Sequence, residues 1–453
     1  MAIYAISSEI HHRQSDSEIK LQMATKADSI LKRMEQRYET TKRGEVQPTT
    51  ISYSTVLKAW ANAGIAVEAE KVLNKMIAVA ENSTSGKARP NLICFNTVIG
   101  GWAKTKGRES AERAMNILEK MEKLSETRDY PDIFPDTITY SSVISAYARS
   151  GREDAGDHAE ELLQRSLRLF HGGRKDLKPD TMTFCSVLDA LSKQNRINKQ
   201  NRKISSPDES EDARAEAVFE RMKEMYKDGD TSVRPNVVAY NILLGVYADC
   251  MKSEKANALF EEMCQMYEAG DFHMKPDIIS YNHYLFALAN SFSRQNVDKA
   301  IDLLNKMENK INDTTKPNLS SYLAILKALA KQSKRYPDAA EKCEIIVKNM
   351  EDRYLRGESS VKPDIACYNC WIDVYSKSGS KDAASNALNI IERVITLSKD
   401  LDLRPDVVSF TTAMNAIANS NCAPDSAEAL LDQMTELNIK PNKYTYNSFV
   451  SDD

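Results

Sequence analysis

The feature that most constrains this chain of 453 residues is a phrase that returns along its whole length. Each copy has a proline, followed in nine of ten cases by Asp or Asn, and an aromatic residue five positions after the proline. One copy reads VRPNVVAYNILLGVYADC and another reads MKPDIISYNHYLFALAN. The ten marker prolines are Pro48, Pro90, Pro135, Pro179, Pro235, Pro276, Pro317, Pro363, Pro405 and Pro441. Self-similarity at spacings of 36 to 56 residues indicates a stack of small structural units rather than several independent globular domains.

Each unit contains two helical patterns separated by a short break. In the fifth unit, Tyr240, Leu243 and Tyr247 recur at three- and four-residue intervals, which is the period of one helical face. After the break, Ala256 and Leu259 begin a second pattern of the same kind. No strand pattern is found along the sequence. We therefore predict an all-α fold, an α-solenoid superhelix of stacked helix-turn-helix repeats, because each hairpin has an apolar face that a neighbouring hairpin must cover.

The marker prolines also place the repeat boundaries. Nine repeats are predicted at 50–91, 92–136, 137–180, 181–236, 237–277, 278–318, 319–364, 365–406 and 407–442. Residues 1–49 are predicted to be an N-terminal segment with a partial repeat, and residues 443–453 the start of a truncated tenth repeat. Because the sequence begins and stops inside a repeat, we expect it to be a fragment of a longer array.

Residues near the ends of the helical patterns predict how the helices begin and end. A hydroxyl-bearing residue often precedes the aromatic, as Ser52 and Thr139 do, and is expected to cap the first helix. Gly64, Gly151 and Gly379 lie between the two patterns of their repeats, at positions suited to a helix C-cap. In the fourth repeat, the segment 194–213 has no apolar period, so we predict a surface loop between the helices.

The composition is that of a folded protein that does not span a membrane. Apolar residues make up 42% of the chain, and no run approaches the roughly 20 apolar residues that a bilayer requires. A formal net charge of -4 weighs against a nucleic-acid partner, although a solenoid can carry basic residues in its groove. The N-terminal stretch MAIYAISSEIHHRQSDSEIK contains acidic residues and no apolar run, so no transit peptide or secretory signal is visible.

No constellation of catalytic or metal-binding residues emerges from the sequence. The eight cysteines are scattered, which fits a reducing compartment, and Cys367 and Cys370 form a lone C-x-x-C. Two thiols that pack in a helix are a better interpretation of that pair than zinc or redox chemistry. The six histidines form neither H-E-x-x-H nor the deaminase pattern H-x-E followed by P-C-x-x-C, and no phosphate-binding loop occurs. We therefore predict no enzymatic activity, no metal site and no cofactor.

The repeat unit as a whole resembles the pentatricopeptide repeat (PPR). The resemblance rests on the Pro-Asp or Pro-Asn boundary, the x-x-Tyr-Asn start and second helices that end like KANALFEEM, and it covers about residues 17–453. The array resembles the P type of this family, with lengthened repeats. The tetratricopeptide repeat is the nearest alternative, but its W-x-x-L-G-x-x-Y phrase does not recur here.

The resemblance implies that each repeat binds one base of single-stranded RNA. It assigns base reading to the fifth residue of a repeat together with the last residue of the same repeat, which follows the next marker proline. The base-reading residues implied are Ser54, Asn91, Asn96, Asp136, Ser141, Asp180, Asn236, Asn241, Asp277, Asn282, Asn318, Asp364, Asn369, Asp406, Thr411 and Asn442. Cys185 and Leu323, at the fifth places of repeats four and seven, depart from the family pattern and imply no base preference.

By the same resemblance, Asn with Asp implies uracil, Asn with Asn implies cytosine or uracil, Thr or Ser with Asn implies adenine, and Ser with Asp implies guanine. The expected target is A-U-G-N-U-C/U-N-U-A. The alternative is that these are polar residues of an exposed helix face with arbitrary identity. That alternative predicts frequent Lys, Glu, Gln and Arg at the fifth place, and none occurs there in the nine repeats.

Two further positions are implied to contact RNA. The second residue of a repeat is implied to stack against bases, with packing between repeats as the open alternative. These stacking residues are Ile51, Ile93, Ile138, Met182, Val238, Ile279 and Val408. The thirteenth residue is implied to face the phosphate backbone, as positioning cations do. These cations are Lys104, Arg149, Lys193, Lys331 and Lys377.

The function expected from these features is a sequence-selective RNA-binding adaptor in RNA processing, stability or translation. The family resemblance points to a mitochondrion or plastid, with single-stranded RNA as the partner, no membrane, and catalysis supplied by protein partners. The alternative is a helical-repeat scaffold for protein–protein interaction, which gives no reason for Asn, Ser or Thr at seven of nine fifth places. A third interpretation is a processing enzyme whose catalytic domain lies outside this sequence.

Overall fold

The computed structural model describes residues 17–82, 87–127, 130, 132–201, 211–291, 293–309, 315–397, 401–420 and 425–450. Within those ranges the regular structure consists of α-helices and short 3₁₀ turns, and no strand occurs. The helices are α1 Ser17–Thr41, α2 Thr50–Asn62, α3 Ala66–Glu81, α4 Leu92–Lys104, α5 Arg108–Ser125, α6 Thr137–Ser150, α7 Ala155–His171, α8 Thr181–Gln200, α9 Glu211–Lys227, α10 Val237–Asp249, α11 Ser253–Glu268, α12 Ile278–Asn290, α13 Arg294–Glu308, α14 Leu319–Gln332, α15 Ala339–Leu355, α16 Ile365–Ser378, α17 Ala383–Thr396, α18 Val407–Asn419, α19 Asp425–Glu436 and α20 Lys443–Val450. The prediction of an all-α fold is confirmed.

The chain divides into two compact units, Met1–Val246 and Tyr247–Asp453. In the first unit, α2, α4, α6 and α8 pack side by side as the first helices of successive hairpins, and α1 packs against α2. In the second unit, α12, α14, α16, α18 and α20 pack in the same way. The second helices α3, α5, α7, α13, α15 and α17 each pack between the first helix of their own repeat and that of the next. Each unit is therefore an α-solenoid of helical hairpins, as the repeat predicts.

Each first helix begins at the first residue of a predicted repeat, and the residue after the marker proline is its N-cap. In the third repeat, the Asp136 carboxylate accepts from the Thr139 backbone N–H at 2.8 Å, and the Thr139 hydroxyl accepts from the Asp136 N–H at 3.1 Å. This reciprocal arrangement is a capping box. The expectation that the hydroxyl itself is the cap is therefore wrong: the acidic or amide residue is the N-cap, and the hydroxyl is its partner three residues later.

The turn between the two helices of a hairpin requires glycine at two of the expected places. Gly151 and Gly379 are the C-caps of α6 and α16, and both have φ of 67°. Residues with a Cβ adopt that left-handed conformation at a steric cost that glycine avoids. Gly64 also has a positive φ, one residue after the C-cap of α2. The predicted glycine turns are confirmed.

In four repeats a tyrosine at the fourth place joins one hairpin to the one before it. Tyr140 and Tyr322 are almost fully buried, and their hydroxyls donate to Glu122 at 3.0 Å and to Glu308 at 2.6 Å. Both carboxylates lie near the end of the preceding repeat's second helix. Because burial disfavours the phenolate, the pKa of Tyr140 is raised well above its usual range. These bonds fix how far neighbouring hairpins are rotated against one another within a unit.

The fourth repeat departs from the loop expected at 194–213. Helix α8 continues to Gln200, and α9 begins at Glu211; residues 202–210 lie outside the described residues. Gln194 is buried, and its side-chain oxygen accepts from the Gly156 backbone N–H at 2.6 Å. The segment lacks an apolar pattern, which suggested a loop, but the buried Gln194 side chain attaches this part of the helix to α7 through a hydrogen bond instead. The loop prediction is wrong for residues 194–200 and for the start of α9.

Among the helices of the described residues, none is both long and apolar enough to cross a membrane.

Candidate nucleic-acid interface

Within each unit, stacking of the first helices brings a fifth-place asparagine next to the N-cap of the following repeat. In the first unit, the Asn96 amide Nδ2 donates to the Asp136 Oδ1 at 3.1 Å. In the second unit, Asn369 donates in the same way to Asp406 at 3.1 Å, and Asn282 donates to the Asn318 Oδ1 at 3.3 Å. These pairs are separated by 36 to 40 residues in the sequence and are formed only when the hairpins stack. Three of the implied base-reading pairs are therefore in direct contact.

A third side chain holds each of these asparagines from the other end of its amide. The hydroxyls of Thr139, Ser321 and Ser409 donate to the amide Oδ1 of the preceding fifth-place asparagine, each at 2.6 Å. The asparagine Oδ1 thus faces the third-place hydroxyl of the next repeat, and the asparagine Nδ2 faces the N-cap Oδ1 of that repeat. These three residues are the third-place hydroxyls whose role the sequence assigned to capping alone. The signal that could have identified them is the hydroxyl that follows every fifth-place asparagine by one repeat.

The hydrogen bonds already made determine which atoms remain for a ligand. Asp136 Oδ1 accepts from Asn96 Nδ2 and from the Thr139 N–H, and it lies 2.8 Å from the Thr139 hydroxyl oxygen. The second oxygen, Oδ2, accepts no hydrogen bond from the residues that the structure describes. The pair therefore offers one N–H of the Asn96 amide and one carboxylate oxygen of Asp136, both on half-buried side chains.

The asparagine pair of the sixth repeat offers a different set of atoms. Asn318 Oδ1 accepts from Asn282 Nδ2 and from the Ser321 N–H, and it lies 3.2 Å from the Ser321 hydroxyl oxygen. What remains is the Asn318 amide nitrogen, beside the second N–H of Asn282. This repeat therefore presents donors only, where the Asn–Asp repeats present a donor and an acceptor.

The serine pairs of the first and third repeats are not in direct contact in this way. Ser54 and Ser141 donate to the carbonyls of Ile51 and Ile138 in their own helices, at 3.1 and 3.2 Å. Their side chains are too short to reach the following cap. Thr411 shares a hydrogen bond of 2.9 Å with Thr445, which in turn donates to Asn442.

Two fifth-place side chains are buried. The Cys185 thiol is buried and lies 3.7 Å from the Asn236 Oδ1, and burial raises the pKa of Cys185 to about 12. Asn241 is also buried, with 6% of its surface exposed. Leu323 is half-buried and offers no hydrogen-bonding atom. Base selection by direct hydrogen bonding is therefore unequal along the chain.

The second-place residues form an exposed apolar series beside these pairs. The exposed fraction of the seven side chains ranges from 50% for Ile279 to 71% for Ile51. Side chains with half or more of their surface exposed do not pack between repeats, so the packing alternative does not explain them. Tyr444, at the second place of the tenth repeat, is 61% exposed and was not identified from the sequence. These exposed apolar side chains are candidates for a binding face.

Several thirteenth-place cations also contact the ends of helices. The Arg149 guanidinium donates to the Ala103 carbonyl at 3.5 Å, and Lys193 donates to the Ala148 carbonyl at 2.9 Å. Those carbonyls lie in the last turn of the preceding first helix, where the helix dipole favours positive charge. The cations thus have a structural role in stacking as well as the implied contact with phosphates.

The five thirteenth-place cations differ in whether an acidic side chain forms an ion pair with them. Lys193 forms an ion pair with Asp189, and Lys377 forms one with Asp373. Lys331 donates to the Asn290 side chain at 3.3 Å, and Lys104 is exposed. Lys104, Arg149 and Lys331 have no acidic partner within the described part of the chain, so they are the better candidates for phosphate contact.

The cysteines and acidic residues do not form a metal or redox centre in the part of the chain that the structure describes. No group of three potential metal ligands occurs there. Cys367 is buried, and burial raises the pKa of the Cys370 thiol to about 11. Thiols held in the protonated form are poor ligands and poor nucleophiles. The C-x-x-C pair therefore fits helix packing.

These features define a helical-repeat protein with a row of paired polar side chains along its stacked first helices. Comparison with protein families identifies the repeat. The PPR repeat matches residues 51–78, 138–165 and 238–267, the pentatricopeptide repeat domain matches residues 209–250, and the PPR repeat family matches residues 405–452. The chain therefore contains pentatricopeptide repeats at the residues that these models match.

Solved structures of this family resemble the chain at low sequence identity. The crystal structure of the pentatricopeptide repeat protein PPR10 from maize is 21% identical, with a TM-score of 0.38, and the match covers 96% of this chain and 65% of that one. The structure of PPR10 in complex with an 18-nt psaJ RNA element is 17% identical, with a TM-score of 0.27, and the match covers 99% of this chain and 83% of that one. This chain thus spans 65% of the length of the first of these structures. No curated protein sequence matches it.

Proposed function

We propose that this protein is a sequence-selective, single-stranded RNA-binding adaptor that reads one base per repeat. The observation that carries the proposal is the contact, at 3.1 to 3.3 Å, between a fifth-place asparagine and the N-cap of the next repeat. Each such contact leaves a defined set of donors and acceptors on an otherwise exposed face. Recognition of RNA bases by one helical repeat each is an established mode of binding.

The Asn–Asp pairs of the second and eighth repeats suit uracil. Uracil presents an N3–H donor between two carbonyl oxygens, and the free carboxylate oxygen of Asp136 or Asp406 can accept that N–H. The outward N–H of Asn96 or Asn369 can donate to an adjacent carbonyl. Cytosine has an unprotonated N3 at the same place, whose lone pair would face the carboxylate without a hydrogen bond. The expected preference for uracil thus follows from the atoms that the pair leaves free.

The Asn–Asn pair of the sixth repeat suits a base with acceptors. The free amide groups of Asn282 and Asn318 are donors, and cytosine presents N3 and O2 as acceptors on its pairing edge. Uracil can also accept through its carbonyl oxygens, so cytosine or uracil is expected here. Changing one oxygen to one NH₂ group at the N-cap is therefore proposed to change the base selected.

The second-place residues supply binding that does not depend on base identity. Ile93 and Ile138 flank the pairing groups of repeats two and three and are 66% and 60% exposed. An apolar side chain between consecutive bases removes apolar surface from water whatever the sequence. The bases would be held apart and in register with the repeats, with Lys104, Arg149 and Lys331 near the phosphates.

The proposed target remains A-U-G-N-U-C/U-N-U-A, read from the first repeat to the ninth. Its role is proposed to be protection, remodelling or recruitment in RNA processing, stability or translation, in a mitochondrion or plastid. The adaptor is proposed to have no catalytic activity of its own, so any reaction on the bound RNA would come from protein partners.

The test is selection of RNA from a randomised single-stranded pool by the purified full chain, with a variant that carries Asn369→Thr and Asp406→Asn. The cap is retained in this variant, because Asn and Asp are equally good N-caps. We expect enrichment of the target above, with the eighth base changing from uracil to adenine in the variant. The matched control is Asn305→Thr on α13, an exposed asparagine of a second helix, which should leave the selected motif unchanged. Failure of the chain to retain any RNA at moderate salt would overturn the proposal and favour a protein-binding scaffold.

A further inference from the structure

The third-place hydroxyl of a repeat lies where it can control the asparagine of the repeat before it. Thr139, Ser321 and Ser409 are fully buried, so they do not touch a ligand on the exposed face. Each donates at 2.6 Å to the amide oxygen of the preceding fifth-place asparagine. That distance is shorter than the 2.8 to 3.2 Å that separates the same hydroxyls from the N-cap Oδ1 atoms.

The hydroxyl has one proton, and the other hydrogen bond of the hydroxyl leaves that proton available to the asparagine Oδ1. Its oxygen accepts from the backbone N–H of the N-cap at 3.1 Å in all three repeats. The proton is therefore free to be donated to an acceptor. If the asparagine amide were rotated by 180°, its NH₂ group would face this donor, and its oxygen would face the N-cap oxygen at the distance of the present hydrogen bond. The hydroxyl therefore disfavours the rotated amide.

The sequence shows the same association in every repeat with a fifth-place asparagine. Asn96, Asn241, Asn282 and Asn369 are each followed, one repeat later, by a third-place hydroxyl; the four hydroxyls are Thr139, Ser280, Ser321 and Ser409. Where the fifth place is Ser54, Cys185 or Leu323, the corresponding third-place residues are Cys94, Ala239 and Cys367, whereas Ser141 and Thr411 are followed by Thr183 and Thr445. The hydroxyl thus accompanies all four asparagines and two of the five other fifth-place residues. A hydroxyl needed only for helix capping would have no reason to accompany asparagine in the neighbouring repeat.

We propose that the third-place hydroxyl of the following repeat is a positioning residue for base selection. It keeps the fifth-place amide with its N–H group directed outward, and so it makes that repeat select a base that accepts a hydrogen bond there. The identity of the base bound by one repeat thus depends on a residue of the next repeat that never contacts RNA. This inference rests on the proposed function and adds a third position to its two base-reading positions.

The test uses Ser409→Ala, which removes the hydroxyl that donates to Asn369 of the eighth repeat, measured with RNAs that differ only in the eighth base. Without the hydroxyl, the amide can rotate and present its oxygen, so discrimination between uracil and cytosine should fall about fivefold, the effect of one neutral hydrogen bond. Ser409→Thr should retain it, because Thr139 of the third repeat donates in the same way to Asn96 of the second. The chain is expected to fold, since Ala239 occupies the third place of the fifth repeat naturally.

The matched control is Thr183→Ala, which removes a third-place hydroxyl that donates to Asp180 at 2.7 Å. The preceding fifth-place residue, Ser141, donates instead to its own helix, so base selection by the third repeat should not change. If Ser409→Ala and Thr183→Ala weaken all RNAs equally, the hydroxyl only caps the helix and the inference is wrong. Ser321→Ala provides the same measurement for the sixth base in case Ser409→Ala does not fold. Loss of RNA binding by the wild-type chain would instead reject the proposed function itself.

Discussion

The second repeat, 92–136, and the third repeat, 137–180, are neighbours in one unit and are built from the same parts. Both have two helices, an acidic N-cap at the following boundary and an exposed isoleucine at the second place. They differ at the fifth place, where Asn96 reaches the Asp136 cap and Ser141 bonds to the Ile138 carbonyl of its own helix. The length of the fifth-place side chain thus decides whether it forms a hydrogen bond with the N-cap of the next repeat in the absence of a ligand.

The comparison indicates that the scaffold and the reading chemistry are largely separate. Caps, buried aromatics and glycine turns maintain the stack in both repeats, while the fifth-place side chain determines whether a preorganised pair exists. A preorganised pair loses less side-chain entropy on binding, and so it should discriminate between bases more strongly. We therefore expect strong selection at the second base and weaker selection at the third.

The largest effect should come from charging the apolar residues that the two repeats share. In a variant with Ile93→Asp and Ile138→Asp, RNA affinity should fall about 100-fold for all sequences, because each base loses an apolar neighbour and meets a negative charge. Fluorescence anisotropy with labelled RNA measures this loss. The control is Val67→Asp on α3, an exposed apolar residue of a second helix, which should leave affinity unchanged. A comparable loss in the control variant would contradict the assignment of the binding face.

A smaller but more specific effect should follow from giving the third repeat the side chain of the second. In Ser141→Asn, the new amide can donate to Asp180 and accept from Thr183, as Asn96 does with Asp136 and Thr139. The third base should change from guanine to uracil with about tenfold selectivity. Competition binding with RNAs that vary only at this base provides the measurement. Ser142→Asn, one residue further along the helix, should cause no change; a change there would show that reach to the cap is not the cause.

The two repeats also differ at the buried aromatic, which is Phe95 in the second and Tyr140 in the third. Tyr140→Phe removes the hydroxyl that donates to Glu122 and should lower the free energy of unfolding by about 1 kcal/mol, while Glu122 retains Arg165. Chemical denaturation measures this difference, with base selection expected to be unaffected. A variant as stable as the wild type would show that the hydroxyl is not needed to join the two hairpins.

Buried tyrosines also make the free energy of unfolding of the first unit depend on pH in the alkaline range. Burial raises the pKa of Tyr147 to about 12 from the usual value of 10. Because the folded pKa is the higher one, this contribution to stability is complete below pH 10 and is lost between pH 10 and pH 12. Over this window, Tyr147→Phe should reduce the number of protons released on unfolding by about one. The unfolding free energy should therefore decrease less steeply with pH in the variant. Equal slopes in the variant and the wild type would contradict this.

The smallest effect should distinguish the thirteenth-place cations of the two repeats. Lys104→Gln should reduce the slope of the logarithm of affinity against the logarithm of salt concentration by about 0.7 and leave stability unchanged. Arg149→Gln should reduce the slope similarly and also destabilise the stack slightly, since Arg149 donates to the Ala103 carbonyl. If neither slope changes, these cations act only at the helix ends.

The repeat boundaries were predictable because proline, an N-cap residue and a buried aromatic stand at fixed offsets near each first helix. Which of the two residues is the N-cap was not predictable. Both the residue after the proline and the hydroxyl three positions later are cap-forming types, and the sequence does not show which one lies at the start of the helix. The contact of Asn96 with Asp136 spans 40 residues and depends on stacking. The end of α8 was missed because Gln194 is buried through hydrogen bonds rather than through apolar contact.

The central claim is that an asparagine held by the next repeat's cap reads one base. It is tested most directly by the affinity of the full chain for two RNAs that differ only in uracil or cytosine at the second base. The account predicts about tenfold tighter binding to the uracil RNA, and loss of that difference in Asn96→Ser. Equal affinity of the wild-type chain for the two RNAs, with measurable binding to both, would contradict it.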